Sequence, residues 1–225
     1  MSAEWIPANW PVPDNIVAGT TLRSGSIASL QLPGKPCWLN QRHGAKVVSA
    51  GLYDVPPDAD ASVGHKPGDV CVVKTADCLP VLFCSTDGAS IAAAHAGWRG
   101  LAAGVIEATV AKIACTPSDL LVWMGPGISQ SAFEVGDEVK DAFVTHDPGS
   151  AACFLANERG RWQADLYELA RRRLSALGVT AIYGGGYCTY TDRERFFSYR
   201  RDSHCGRMVS FVAIKTLENT GIAAS

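Results

Sequence analysis

The 225-residue chain has no run of about 18 apolar residues, so no part of it reads as a membrane-spanning helix. Its start, MSAEWIPANWPVP, has an acidic residue, three prolines and no apolar core, and does not read as an export signal. There is no CxxC pair, which removes the zinc ribbon and the thioredoxin-type redox motif. There is no GxGxxG and no GxxxxGK[ST], so a dinucleotide or P-loop nucleotide site has no support. Lys and Arg number 20 against 22 Asp and Glu, a net charge of −2 that gives no electrostatic footprint for nucleic acid. The basic runs, Arg171-Arg172-Arg173 and Arg200-Arg201, are short, and the first is expected at a helix C-terminus, where the dipole favours it. Neither nucleic acid nor membrane is an expected partner. Histidine is scarce, with five residues in all.

Apolar residues make up 47% of the chain, enough to build a core without covalent staples. The eight cysteines are scattered through apolar runs, as at Cys71, Cys84 and Cys115. Reduced thiols in a cytoplasmic protein are expected, rather than a disulfide framework. No repeat or low-complexity linker divides the chain, so residues 1–225 read as a single domain.

Valine- and isoleucine-rich segments bounded by turn residues predict strands at 69–76, 80–85, 90–96, 120–125, 181–186 and 208–215. STDGAS, between the second and third of these, predicts a hairpin turn. Apolar stripes at helical spacing predict helices over 101–114, 137–145 and 165–177, the last with Asp165 and Glu168 as a capping box and Gly178 as its stop. Hairpins mixed with strand–helix connections predict an α+β fold: a mixed-sheet layered sandwich with covering helices.

One stretch, IAAAHAGWRG at 91–100, places His95 at the end of an apolar run, with glycines on both sides of Trp98-Arg99. Cys78, in KTADCLPVLF, stands at a strand entry, and His43, in NQRHGAKVV, stands between two apolar runs. Two imidazoles and a thiolate are a Zn²⁺ ligand set, and three protein ligands leave a fourth position open. The separations are long, so no local metal motif exists, and two polar rings with a buried free thiol explain the same pattern. His65 and His146 fall in turn-like segments, and His204 beside Cys205 cannot readily face one ion with it.

The segments NQRHG, DADA, TADCLPVLF, AAHAGWRGLAAGV, GPGISQSAFEVG, CTYT and FFSYRRDSHCGRM together resemble the YfiH-type family, whose members are also called laccase-domain or multicopper polyphenol oxidase-type proteins. The resemblance runs from about Asn40 to the last strand. It implies an α/β sandwich holding one zinc through His43, Cys78 and His95. It also implies either a zinc-dependent purine nucleoside phosphorylase or a cytoplasmic amidase that edits peptidoglycan precursors. Zinc-bound hydroxide attacking C6 of adenine would add deamination as a side activity, although the H-x-E of zinc deaminases is absent. A zinc-stabilised binding module is the non-enzymatic alternative. A laccase would need a copper site plus a further imidazole-rich cluster, and five histidines are too few for both.

On the phosphorylase reading the partners are a small-molecule nucleoside and phosphate. Arg99, beside the glycine-flanked start of the 101–114 helix, is the expected phosphate contact, with a surface ion pair as its alternative role. Asp60 of DADA is the candidate catalytic acid or base, with orientation of a ligating histidine as its alternative role. Asp77 has the same pair of candidate roles. Gln41 is expected to bind a base edge or a neighbouring backbone. The chain departs from the family in carrying only IASLQ between TTLRSGS and LPGKPCW, where relatives have a longer Gly- and Asn-rich stretch, and in having Cys205 where Thr is commoner.

Overall fold

The computed structural model describes residues 4–113 and 115–216. In chain order the strands are β1 (Trp5–Pro7), β2 (Ile16–Thr21), β3 (Val47–Ser49), β4 (Ala61–Gly64), β5 (Val70–Thr75), β6 (Leu79–Ser85), β7 (Ile91–Ala96), β8 (Leu120–Met124), β9 (Glu134–Val135), β10 (Phe154–Ala156), β11 (Trp162–Ala164), β12 (Ala181–Gly184) and β13 (Met208–Ile214). The α-helices are α1 (Trp98–Ala102), α2 (Val105–Ile113), α3 (Asp137–Val144) and α4 (Leu166–Ala176).

A six-stranded sheet in the order β12-β8-β6-β7-β4-β3 forms the middle layer. It is mixed: β12 with β8 and β3 with β4 are parallel pairs, and the rest are antiparallel. Alternation along its strands builds two cores. One face, carrying Val81, Phe83, Ala92, Ala94 and Val122, packs under α2 and α4. The other face, carrying Leu82, Cys84, Ile91, Ala93 and Trp123, packs on a four-stranded sheet, β1-β2-β13-β5, through Cys71, Val73, Val212 and Ile214. The small alanines of β7 let α2 lie close on the sheet. A third sheet, β10-β11-β9, flanks α3. Each fully buried Leu, Ile or Phe in these cores stabilises the fold by about 1.5–3 kcal/mol.

All six expected strands form, and the STDGAS turn closes the β6–β7 hairpin with Gly88 at φ +69°. The third helix is as expected: Asp165 accepts from the Glu168 amide at 2.9 Å, and Gly178 follows it at φ +90°. The expected helix 101–114 needs correction. It begins earlier, at Trp98, and is broken by Gly104 in the left-handed region at φ +91°, so α1 has five residues and α2 nine. The last position of the expected helix, residue 114, lies outside the described residues. All eight cysteines are free thiols.

Candidate metal centre

On β7, Ile91 and Ala93 face the layer between the two large sheets, and His95, two residues on, continues that alternation at the strand's end. Cys78 lies in the short turn from β5 to β6, and His43 in the loop before β3. The metal-binding atoms of these three residues lie within 4.8 Å of one another. Cys78 Sγ is 3.9 Å from His43 Nε2, and the two imidazole rings meet edge to face with centroids 4.8 Å apart. Among the described residues this is the only such group of three donors. His65 instead contacts Ser90, and His146 and His204 are exposed.

Backbone geometry around the centre is costly and is held by two carboxylates. His43 (φ +58°) and Asp77 (φ +85°) are the only described non-glycine residues at positive φ, a conformation that costs on the order of 1–3 kcal/mol each. Asp60, 1% exposed, accepts the backbone N–H groups of Arg42, His43 and Gly44 at 3.1, 2.9 and 2.7 Å and the Nδ1–H of His95 at 2.9 Å. The β4–β7 register delivers it there: Ala61 pairs with Ala94, and the Asp60 carbonyl accepts from the His95 amide. Asp77 accepts from Thr189 Oγ1 at 2.6 Å, Ser198 Oγ at 3.1 Å and the Arg200 amide at 2.7 Å. It thereby ties the residue preceding Cys78 to a strap formed by 198–207.

Burial works against the Asp60 carboxylate, but the His95 ring and the Gly44 and Arg42 amides outweigh it and hold the carboxyl below its ordinary range. Burial would push the Cys78 thiol up, yet the His43 and His95 rings pull it down to about 6, so the thiolate is favoured at neutral pH. Burial would lower the His95 imidazole, but the Asp60 hydrogen bond and Cys78 raise it to about 9. Because an ionised Asp60 can only accept, His95 Nδ1 carries hydrogen and Nε2 is the atom free to ligate.

Glycine explains the spacing in AGWRG. A Cβ on Gly97 would stand 2.8 Å from Cys78 Sγ and 3.2 Å from the His43 ring, and one on Gly100 would stand 2.9 Å from the Gly44 carbonyl. A thiolate, two imidazoles, a carboxylate behind one ring and this close cradle fit a borderline-soft metal ion.

The three donors open onto a pocket of about 620 Å³. Arg99 lines it, exposed, with its guanidinium 4.5 Å above the Trp98 ring. Gln41 also lines it, but its amide is paired with the backbone N–H and C=O of Lys74, both at 2.8 Å, like one more rung on β5. Asp60 does not line the pocket. Among the pocket walls that sequence reasoning missed are Lys74, Phe133, Tyr199 and Arg207, and Arg200 stands out in the sequence only as half of a basic pair. No residue before Leu39 lines it, so the short IASLQ segment, 27–31, contributes nothing to these walls.

Fold and site together define a layered α/β protein with one His₂Cys donor set, able to hold a metal ion, at the end of a sheet sandwich and facing an open pocket. The chain belongs to the family described as multi-copper polyphenol oxidoreductase laccase, whose description matches residues 11–215. It is 45% identical to a Pseudomonas aeruginosa protein named a purine nucleoside phosphorylase, over 92% of this chain and 97% of that one. It is 51% identical to the Escherichia coli purine nucleoside phosphorylase YfiH, over 84% of this chain and 78% of that one. The crystal structure of a Neisseria meningitidis protein, 40% identical, superposes with a TM-score of 0.90 over 95% of this chain and all of that one. The alignment with the P. aeruginosa protein spans 236 residues, more than this whole chain of 225, so it includes positions that this chain lacks.

Proposed function

We propose that this chain is a cytoplasmic, single-domain, zinc-dependent purine nucleoside phosphorylase. The observation that carries the reading is the His43–Cys78–His95 donor set opening onto a pocket edged by cations and aromatic rings, on a chain similar over nearly its full length to proteins named for that activity. His43, Cys78 and His95 would hold the zinc, which when bound supplies a Lewis acid at an open coordination position.

In phosphorolysis an oxygen of inorganic phosphate bonds to C1′ of the ribose while the C1′–N9 bond breaks. The bond pair leaves with the purine, which takes up a proton, and ribose 1-phosphate is the second product. Arg99, exposed in the pocket beside Trp98, is assigned to the phosphate. The flat faces of Trp98, Phe133 and Tyr199 suit the base. Asp60, closed off behind His95, is assigned to fixing the ligands and not to proton transfer with substrate. Gln41, tied to Lys74, shapes the wall.

The test is to incubate zinc-loaded protein with inosine or adenosine, with and without phosphate, and to separate the products. Free base with ribose 1-phosphate, formed only when phosphate is present, is the expected result. Base release at an equal rate without phosphate would mean a hydrolase. No base release, with cleavage of an amino-acid-bearing cell-wall precursor, would mean the editing amidase. Arg99→Ala is expected to weaken phosphate use by about 1.5–3 kcal/mol while zinc content stays at wild-type level.

A further inference from the structure

The pocket carries more positive charge than one phosphate requires. Lys74, Arg99, Arg200 and Arg207 all line it, on a chain whose net charge is −2. Asp77 is the only acidic residue in its walls, and its carboxylate is taken up by Thr189, Ser198 and the Arg200 amide. Of the ten arginines outside the pocket, six pair with carboxylates: Arg42 with Asp58, Arg159 and Arg161 with Glu134, Arg172 with Asp147, Arg173 with Glu107 and Arg195 with Asp192. Among the described residues none of the four pocket cations has such a partner. Arg200 donates to the neutral Glu134 carbonyl, and Arg207 donates to the Cys205 and Gly206 carbonyls and lies 5.6 Å over the Tyr199 ring.

Unneutralised like charges gathered in one cleft raise the local concentration of anions and lower the free energy of an anionic ligand. Arg99 and the metal account for the inorganic phosphate. Arg200 and Arg207 belong to a different element, the strap of 198–207 that Asp77 fastens beside Cys78.

We propose that Arg200 and Arg207 form a second anion subsite, which receives a phosphomonoester carried by the nucleoside itself, so that nucleoside 5′-monophosphates bind this pocket in preference to the parent nucleosides. The proposal rests on the nucleoside-binding reading above, but not on the reaction being phosphorolysis. Asp77 holds the strap through Ser198 and the Arg200 amide and directly precedes Cys78, so subsite and donor set are held in one frame.

Calorimetric titration of the zinc-loaded protein with adenosine and with AMP, at low and at high salt, tests it independently of turnover. AMP is expected to bind at least about tenfold more tightly at low salt, an advantage that shrinks as salt screens the exposed guanidinium groups. In Arg207→Gln and Arg200→Gln the AMP-to-adenosine ratio is expected to fall towards one, with zinc content and thermal midpoint reporting that the variants are folded. If either variant does not fold, the salt dependence of the wild-type ratio decides. Equal or weaker binding of AMP, or a ratio unmoved by salt and by both substitutions, would overturn the proposal. An AMP preference without any phosphate-dependent base release would leave the subsite standing and remove the phosphorylase reading instead.

Discussion

The two histidines of the candidate metal centre are held by opposite means. His95 is 3% exposed at the end of a strand whose every residue is buried, and its ring is locked by packing and by one hydrogen bond to Asp60. His43 is exposed, on a loop, in a backbone conformation that L-residues avoid. Nothing in a sheet ladder holds it; its position comes from backbone amides gathered by the same Asp60 carboxylate. One residue therefore orients the ring of one histidine and the main chain of the other. A rigid strand supplies a fixed donor, and a hydrogen-bonded loop supplies one that can be loosened without disturbing the core.

The largest expected effect falls on the ligand common to both sides. Cys78→Ala should take the zinc content of purified protein from one equivalent to near zero, measured by elemental analysis. Equal zinc in both proteins would remove Cys78 from the ligand set. Gly97→Ala should follow closely, because its Cβ must displace Cys78 Sγ and the His43 ring while leaving the buried ring of His95 in place. Zinc content should fall sharply while the thermal midpoint of the metal-free protein changes by only a few degrees.

Asp60→Asn separates the two histidines. An amide cannot accept all four hydrogen bonds, and zinc affinity in chelator competition should fall about 10–100-fold, the usual effect of losing a partner behind a ligating histidine. Hydrogen exchange should quicken at residues 42–44 and stay slow along β7. Equal quickening in both would mean that Asp60 supports the core and not the loop.

The smallest effect concerns pH in the metal-free protein. Cys78 ionises more easily folded than unfolded, so its stabilisation is complete above about 9 and is lost as pH falls towards 6. His95 holds its proton more tightly when folded, so its stabilisation is complete below about 6.5 and is lost as pH rises through about 9. The two slopes oppose each other, and stability from chemical denaturation should be nearly flat between those limits. In Cys78→Ala the rising contribution is gone, and stability should decline with pH across the same window. A flat profile in that variant would break the coupling.

The same division governs what the sequence could disclose. His95 and its strand were legible because an apolar run with alternating burial ends at a polar ring, and the Val- and Ile-rich strands and the α4 stripe were legible for similar reasons. β2 and β4 were not: IVAGTT and ASVG are short, small and glycine-bearing, and their burial comes from neighbours far along the chain. Gly104 was one more small residue in AAG until its left-handed backbone divided the helix. The role of Asp60 as a collector of amides was hidden because backbone donors leave no mark on residue identity. Arg200-Arg201 shows the limit at single-residue scale. Arg201 turns inward onto the carbonyls of Thr189, Tyr190 and Phe196, while Arg200 lines the pocket, and adjacency alone does not say which does which.

X-ray absorption at the zinc edge of the purified protein tests the metal centre most directly. The account predicts one zinc per chain with a single sulfur at about 2.3 Å, two imidazole nitrogens at about 2.0–2.1 Å and one further light-atom ligand that exchanges when phosphate is added. A second sulfur, a fourth protein nitrogen, or a shell that phosphate leaves unchanged would contradict an open catalytic site built from His43, Cys78 and His95.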